Sequence, residues 1–89
     1  MAEVKKKASA GTLESSDVYV EIEPAAGGLV IDLQSVVQAQ FGDAIEAAVR
    51  QVLQEQGVEH ASVKVMDRGA LECVIRARVE TAVLRSKEG

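Results

Sequence analysis

Two periods coincide in Asp67-Arg68-Gly69-Ala70-Leu71-Glu72-Cys73-Val74-Ile75-Arg76-Ala77-Arg78-Val79. Leu71, Cys73, Ile75, Ala77 and Val79 alternate with Glu72, Arg76, Arg78 and Glu80, the pattern of a half-buried strand. Leu71, Val74, Ile75, Val79, Ala82 and Val83 satisfy helical spacing as well. The turn signal Asp67-Arg68-Gly69, with Gly69 suited to positive φ, favours a hairpin. The expectation is a strand to Arg78 and a short helix over Val79–Arg85, with a helix through residues 70–79 as the alternative.

The strand that would pair with this run reads Ala61, Val63, Val65 against Ser62, Lys64, Met66. Before it, Val37, Phe41, Ala44, Ile45, Ala48, Val49, Val52 and Leu53 recur at three- and four-residue spacing and predict an amphipathic helix. Gly57 stands where a helix-terminating glycine belongs. Ser35 with Gln38 suggests a capping box at its start, and Gly42 suggests a kink or break. Farther upstream, Val18, Val20, Ile22 and Leu29, Ile31, Leu33 alternate with polar neighbours on either side of Pro24-Ala25-Ala26-Gly27-Gly28. Two such runs read as an antiparallel hairpin.

The fold expected is therefore α+β: one small domain, an antiparallel sheet of two hairpins packed on one central helix, with a short C-terminal helix. Residues 1–16 read as a flexible N-terminal arm, 17–86 as the folded domain and 87–89 as a tail. At 89 residues and 47% hydrophobic, the chain supports one core, built from aliphatic side chains because Tyr19 and Phe41 are its only aromatics. A domain of this size buries roughly 60–65% of its unfolded surface, which leaves little room for a walled active site.

A net charge of −4 argues against nucleic acid, whose binding rests on neutralising phosphates. Lys5-Lys6-Lys7 is too short to reverse that. No apolar stretch approaches the ~20 residues of a membrane span, and no secretory signal pattern is present. Cys73 alone cannot form an internal disulfide, which agrees with a reducing compartment, so a soluble cytoplasmic protein is expected.

Catalytic constellations are weak. Ser15, His60 and Asp17 contain the residue types of a hydrolase triad, but neither Ser15 nor Ser16 lies in a nucleophile motif. One histidine and one cysteine make no zinc site, so no metal is expected. Cys73 falls on the apolar set of its run and reads as a buried thiol. Glu21, Glu23 and Asp32 read as the wet face of a one-sided sheet. Arg76 and Arg78 share a face of the expected strand, there to bind phosphate or a carboxylate, or to pair with Glu21 or Glu23. Gly27-Gly28 lacks the flanking pattern of a phosphate cradle.

One segment remains: Ala10-Gly11-Thr12-Leu13-Glu14-Ser15-Ser16-Asp17-Val18, small and hydroxyl-rich, ahead of the strand at Val18. With Gln40-Phe41-Gly42-Asp43-Ala44-Ile45 and Asp67–Glu80, it resembles the citrate lyase acyl carrier protein, the gamma subunit of that complex. The three blocks agree in order and spacing, and the similarity covers about Ala10 to Arg85.

The resemblance implies a carrier that performs no catalysis itself. Ser15, directly after Gly-Thr-Leu-Glu, is then the attachment residue for phosphoribosyl dephospho-CoA, delivered from triphosphoribosyl-dephospho-CoA by prosthetic-group attachment enzymes. Acetyl and citryl thioesters on that arm would serve the alpha (acyltransferase) and beta (citryl lyase) subunits during cleavage of citrate to acetate and oxaloacetate. No partner in nucleic acid or membrane is implied. Ordinary acyl carriers are helical bundles with Asp-Ser-Leu opening a helix, and this chain has neither. The related subunit of malonate decarboxylase is one alternative. A protein-interaction module without a prosthetic group is the other.

Overall fold

The computed structural model describes residues 4–88; residues 1–3 of the expected arm and Gly89 of the expected tail lie outside the described residues. Four strands and two helices follow in the order β1 (Ala8–Gly11), β2 (Val18–Pro24), β3 (Leu29–Ser35), α1 (Gln38–Glu55), β4 (Ala61–Asp67) and α2 (Glu72–Lys87). The sheet order is β1-β2-β4-β3. β2 is antiparallel to both β1 and β4, whereas β3 runs parallel to β4. The expected α+β class, a sheet backed by helices, is the fold observed.

The alternating strands bury one face only. Val18, Val20 and Ile22 of β2 and Ala61, Val63 and Val65 of β4 are at most 1% exposed. Their neighbours Glu21, Lys64 and Asp32 line up across β2, β4 and β3 on the open face, as the polar half of a one-sided sheet requires.

The first expected hairpin does not pair. β4 inserts between β2 and β3, with Pro24 and Leu29 both opposite Ala61. The four residues between them must therefore step across two strand spacings, about 9.6 Å. Gly27 and Gly28, at φ 90° and 120°, permit that step, and the Gly28 carbonyl accepts the Ala61 N–H at 3.2 Å. Interleaving puts the apolar β4 at the centre, where the helices can cover it.

The second expected hairpin is absent because Glu72–Lys87 is one helix. Ile75, Val79, Ala82, Val83 and Ser86 form its buried stripe, while Cys73 is exposed rather than buried. The alternating set is thus split by helical geometry, and only the 3.6-residue subset reaches the core. One helix cannot cover four strands: α2 packs over β1 and β2, while α1 lies against β3 and against α2.

α1 runs unbroken through Gly42, and no capping box forms. Ser35 Oγ instead donates to Asp67 Oδ2 at 2.7 Å and accepts the Val37 N–H at 3.1 Å. The C-terminus follows expectation. Gly57 has φ 72°, its N–H reaches the Gln54 carbonyl at 3.0 Å, and the Val58 N–H reaches Leu53 at 2.9 Å. That pair of hydrogen bonds is the Schellman pattern, and Val58 and Leu53 are both buried.

The expected arm is tied down over most of its described length. Ala8–Gly11 is an edge strand, Val4 is buried, and the N–H groups of Lys5 and Lys6 donate to the Ser86 carbonyl at 2.9 and 3.1 Å. At the other end, Lys87 of the expected tail belongs to α2.

Candidate functional site

Thr12–Asp17 is the loop of the β1–β2 hairpin. The Asp17 N–H donates to the Glu14 carbonyl at 3.1 Å, closing a four-residue turn with Ser15 and Ser16 at its corners. Ser16 has φ 67° and is the only positive-φ residue other than glycine among the described residues. The positive φ falls at the third position of the turn, where left-handed backbone favours glycine, so Ser16 occupies the strained corner. Ser15 occupies the relaxed one, and both are exposed.

Asp17 anchors the loop. Its carboxylate accepts the Thr12 hydroxyl at 2.7 Å, the Val18 N–H at 2.7 Å, and two N–H groups of Arg78, from Nε at 3.2 Å and Nη2 at 3.3 Å. Thr12 Oγ1 also accepts the Glu14 N–H at 3.1 Å. The Thr12 hydroxyl, foremost, and then the Val18 N–H and Arg78 hold the Asp17 carboxyl below the ordinary aspartate value, with desolvation opposing them. The strand ladder also continues past Val18. The Ser16 N–H donates to the Arg68 carbonyl at 2.8 Å, and the Arg68 N–H donates to the Asp17 carbonyl at 2.9 Å.

Gly11 makes the approach of α2 possible. It has φ 89°, and a Cβ there would lie 1.8 Å from the Val18 carbonyl oxygen and 3.3 Å from Arg78 Cδ. The Arg78 stem therefore passes directly over the glycine on its way to Asp17.

The other candidate residues disperse. His60 sits at the start of β4 and Ser15 beside its end, roughly 20 Å away along a seven-residue strand. His60 Nδ1 accepts the Gly28 N–H at 3.1 Å, so the triad types are not brought together. Arg76 and Arg78 diverge because residues two apart on a helix face different ways. Arg76 pairs with Glu72 at 3.0 Å and donates to Gln51 at 2.6 Å. Neither arginine pairs with Glu21 or Glu23 among the described residues. Glu21 pairs with Lys7 at 3.4 Å and accepts the Tyr19 hydroxyl at 3.1 Å. That hydroxyl chiefly, with Lys7, lowers its carboxyl pKa against desolvation. No group of three or more His, Cys, Asp or Glu able to hold a metal occurs among the described residues.

Sequence reading missed Thr12, Asp17 and Arg78 as a unit. The local feature that could have marked it is Gly11, just before Thr12, whose missing Cβ permits the close approach. Missed as well was an apolar cleft of about 220 Å³ between the first turns of α1 and α2, lined by Val37, Phe41, Ile45, Ala70, Leu71 and Ile75. It opens near the same end of the sheet, since Ala70 follows Arg68 by two residues.

Residues 5–86 match the family model described as malonate decarboxylase delta subunit (MdcD). The chain is 55% identical over 87 residues to the citrate lyase acyl carrier protein of Klebsiella pneumoniae, covering 97% of this chain and 90% of that one. It is 55% identical over 86 residues to the citrate lyase acyl carrier protein of Lactococcus lactis subsp. lactis, with the same coverage. Among solved structures, a chain of a Pseudomonas malonate decarboxylase hetero-tetramer in complex with malonate superposes with a TM-score of 0.80. It is 24% identical, and the match covers 92% of this chain and 84% of that one.

Proposed function

Because this chain belongs to the acyl carrier family of the malonate decarboxylase delta subunit, and within it to the citrate lyase acyl carrier proteins, we propose that it carries acyl groups for a citrate lyase complex on phosphoribosyl dephospho-CoA attached through Ser15. Between the two acyl-carrier alternatives, 55% identity to citrate lyase carriers outweighs a 24% likeness that speaks for the fold alone.

The observation that carries the assignment is the Thr12–Asp17 turn. Ser15 is exposed at its unstrained corner, while the turn is held from behind by Asp17. An attaching enzyme needs a hydroxyl that projects and does not recoil. Ser15 Oγ forms the new bond to phosphorus, and the bond from that phosphorus to the pyrophosphate of the triphosphate donor breaks. The hydroxyl proton passes to a base of the attachment enzyme, since Asp17 is occupied by Thr12, Val18 and Arg78.

Once attached, the group supplies a thiol on which acyl groups travel as thioesters. The chain supplies a fixed root. Tethering raises the local concentration of the acyl group at neighbouring active sites without free diffusion, which suits a non-catalytic subunit working between the alpha and beta subunits. No described helix is long and apolar enough to cross a membrane, and we take the complex to work in the cytoplasm. Peptide mass mapping of the chain co-expressed with the attachment enzymes tests the reading: the added mass belongs on Ser15, and a chain that stays bare under those conditions refutes it.

A further inference from the structure

We propose that Arg78 and Arg68 form a phosphate subsite that holds the phosphodiester linking Ser15 to its prosthetic group. The inference rests on the Ser15 reading and adds to it the residues that meet the linkage.

Among the described residues, Arg78 donates to Asp17 with Nε and Nη2 and to no other group. A guanidinium has five N–H donors, so about three remain free. Its side chain is 41% exposed, and its stem is fixed in passing over Gly11. The free donors are therefore held at Asp17, which lies two residues along the chain from Ser15. Arg68 adjoins the same turn, bonded through its backbone to Ser16 and Asp17. Its exposed side chain makes no hydrogen bond or ion pair among the described residues.

Charge supports the assignment. The turn already contains Glu14 and Asp17, and a phosphodiester on Ser15 adds a permanent negative charge beside them. Like charges so close repel unless cations are interposed. Arg68 and Arg78 bring the local set to two positive groups against Glu14 and Asp17 before modification. Planar guanidinium forks match phosphate oxygens in pairs, and Arg78 can engage a phosphate without releasing Asp17. The two arginines would thus fix the root of the arm and leave its distal part free.

The test uses the modified chain, with attachment at Ser15 established first by peptide mass. The phosphodiester ³¹P resonance of the folded protein should be displaced from that of the modified Ser15 peptide released by proteolysis. Arg68→Ala and Arg78→Lys should each move it back toward the peptide position. Arg68→Ala leaves the Asp17 pair intact and so separates phosphate contact from loop collapse. Arg85→Lys, whose parent residue donates to the Ser9 carbonyl on β1, should leave the resonance in place. A group on Ser15 whose resonance is the same in wild type, both variants and free peptide overturns the subsite alone. A group mapped to another residue overturns the Ser15 reading and the subsite with it.

Discussion

Arg78 in α2 holds both carboxylate oxygens of Asp17, 61 residues earlier in the chain, from Nε at 3.2 Å and Nη2 at 3.3 Å. This pair, partly exposed on both sides, ties the last helix to the loop between the first two strands. Exposed ion pairs contribute little individually, but here the carboxylate also closes the loop through Thr12 and Val18. Its importance is geometric: it fixes the turn that presents Ser15.

The pair gives the loop an acid limit. Asp17 has a folded pKa below its unfolded value, with the Thr12 hydroxyl as the main cause. The unfolded state then binds the proton more readily, so the Asp17 contribution is full above the ordinary aspartate range and fades as pH falls through the folded value, below about pH 4. Asp17→Asn should lower stability at neutral pH and flatten the acid limb. Urea midpoints across pH 2.5–7 check this. An acid limb unchanged in the variant refutes it.

Gly11→Ala should be among the most damaging single substitutions. The new Cβ meets a backbone carbonyl, which cannot swing aside as a side-chain tip would, at a positive φ. Left-handed backbone alone costs an L-residue roughly 1–2 kcal/mol, and with the clash a loss of about 2–4 kcal/mol is expected. Equilibrium denaturation measures it, and a loss under 1 kcal/mol would mean that the β1–β2 loop is not as described.

Much of this architecture was legible in the sequence. Strand alternation located β2, β3 and β4 because one buried face imposes a period of two, and the α1 stripe and Gly57 marked a helix and its end. Strand partners were not legible, because alternation says which side is buried and nothing about which neighbour lies alongside. Leu71–Val79 was misread because strand and helix periods coincide over so short a run. The sheet's need for a second covering helix resolves it, and that need is visible only in three dimensions. The same misreading put Arg78 on a strand beside Arg76 and hid its bond to Asp17.

The α1 face can be mapped by two substitutions. Ile45 is 7% exposed and Phe41 54%, although the helical stripe treats them alike. Ile45→Ala should cost roughly 2–5 kcal/mol, and Phe41→Ser less, about 1 kcal/mol, because only part of its ring is covered. Thermal and urea unfolding compare them. Equal losses would mean that the first turns of α1 pack more deeply than described.

Ser15 and Ser16 are adjacent hydroxyls, and the turn separates their roles. Ser16 holds φ 67°, so Ser16→Gly should relieve left-handed strain and stabilise the fold by about 1 kcal/mol. Because the backbone path is kept, that variant and Ser16→Ala should both still accept the prosthetic group. Ser15→Ala should change stability by no more than about 0.5 kcal/mol, as for an exposed side chain, while abolishing both modification and the citrate-cleaving activity of the assembled complex. Peptide mass mapping of the three variants, each co-expressed with the attachment enzymes, distinguishes the two hydroxyls. A modified Ser15→Ala chain beside a bare Ser16→Ala chain would move the attachment point to the strained corner of the turn and overturn the assignment to Ser15.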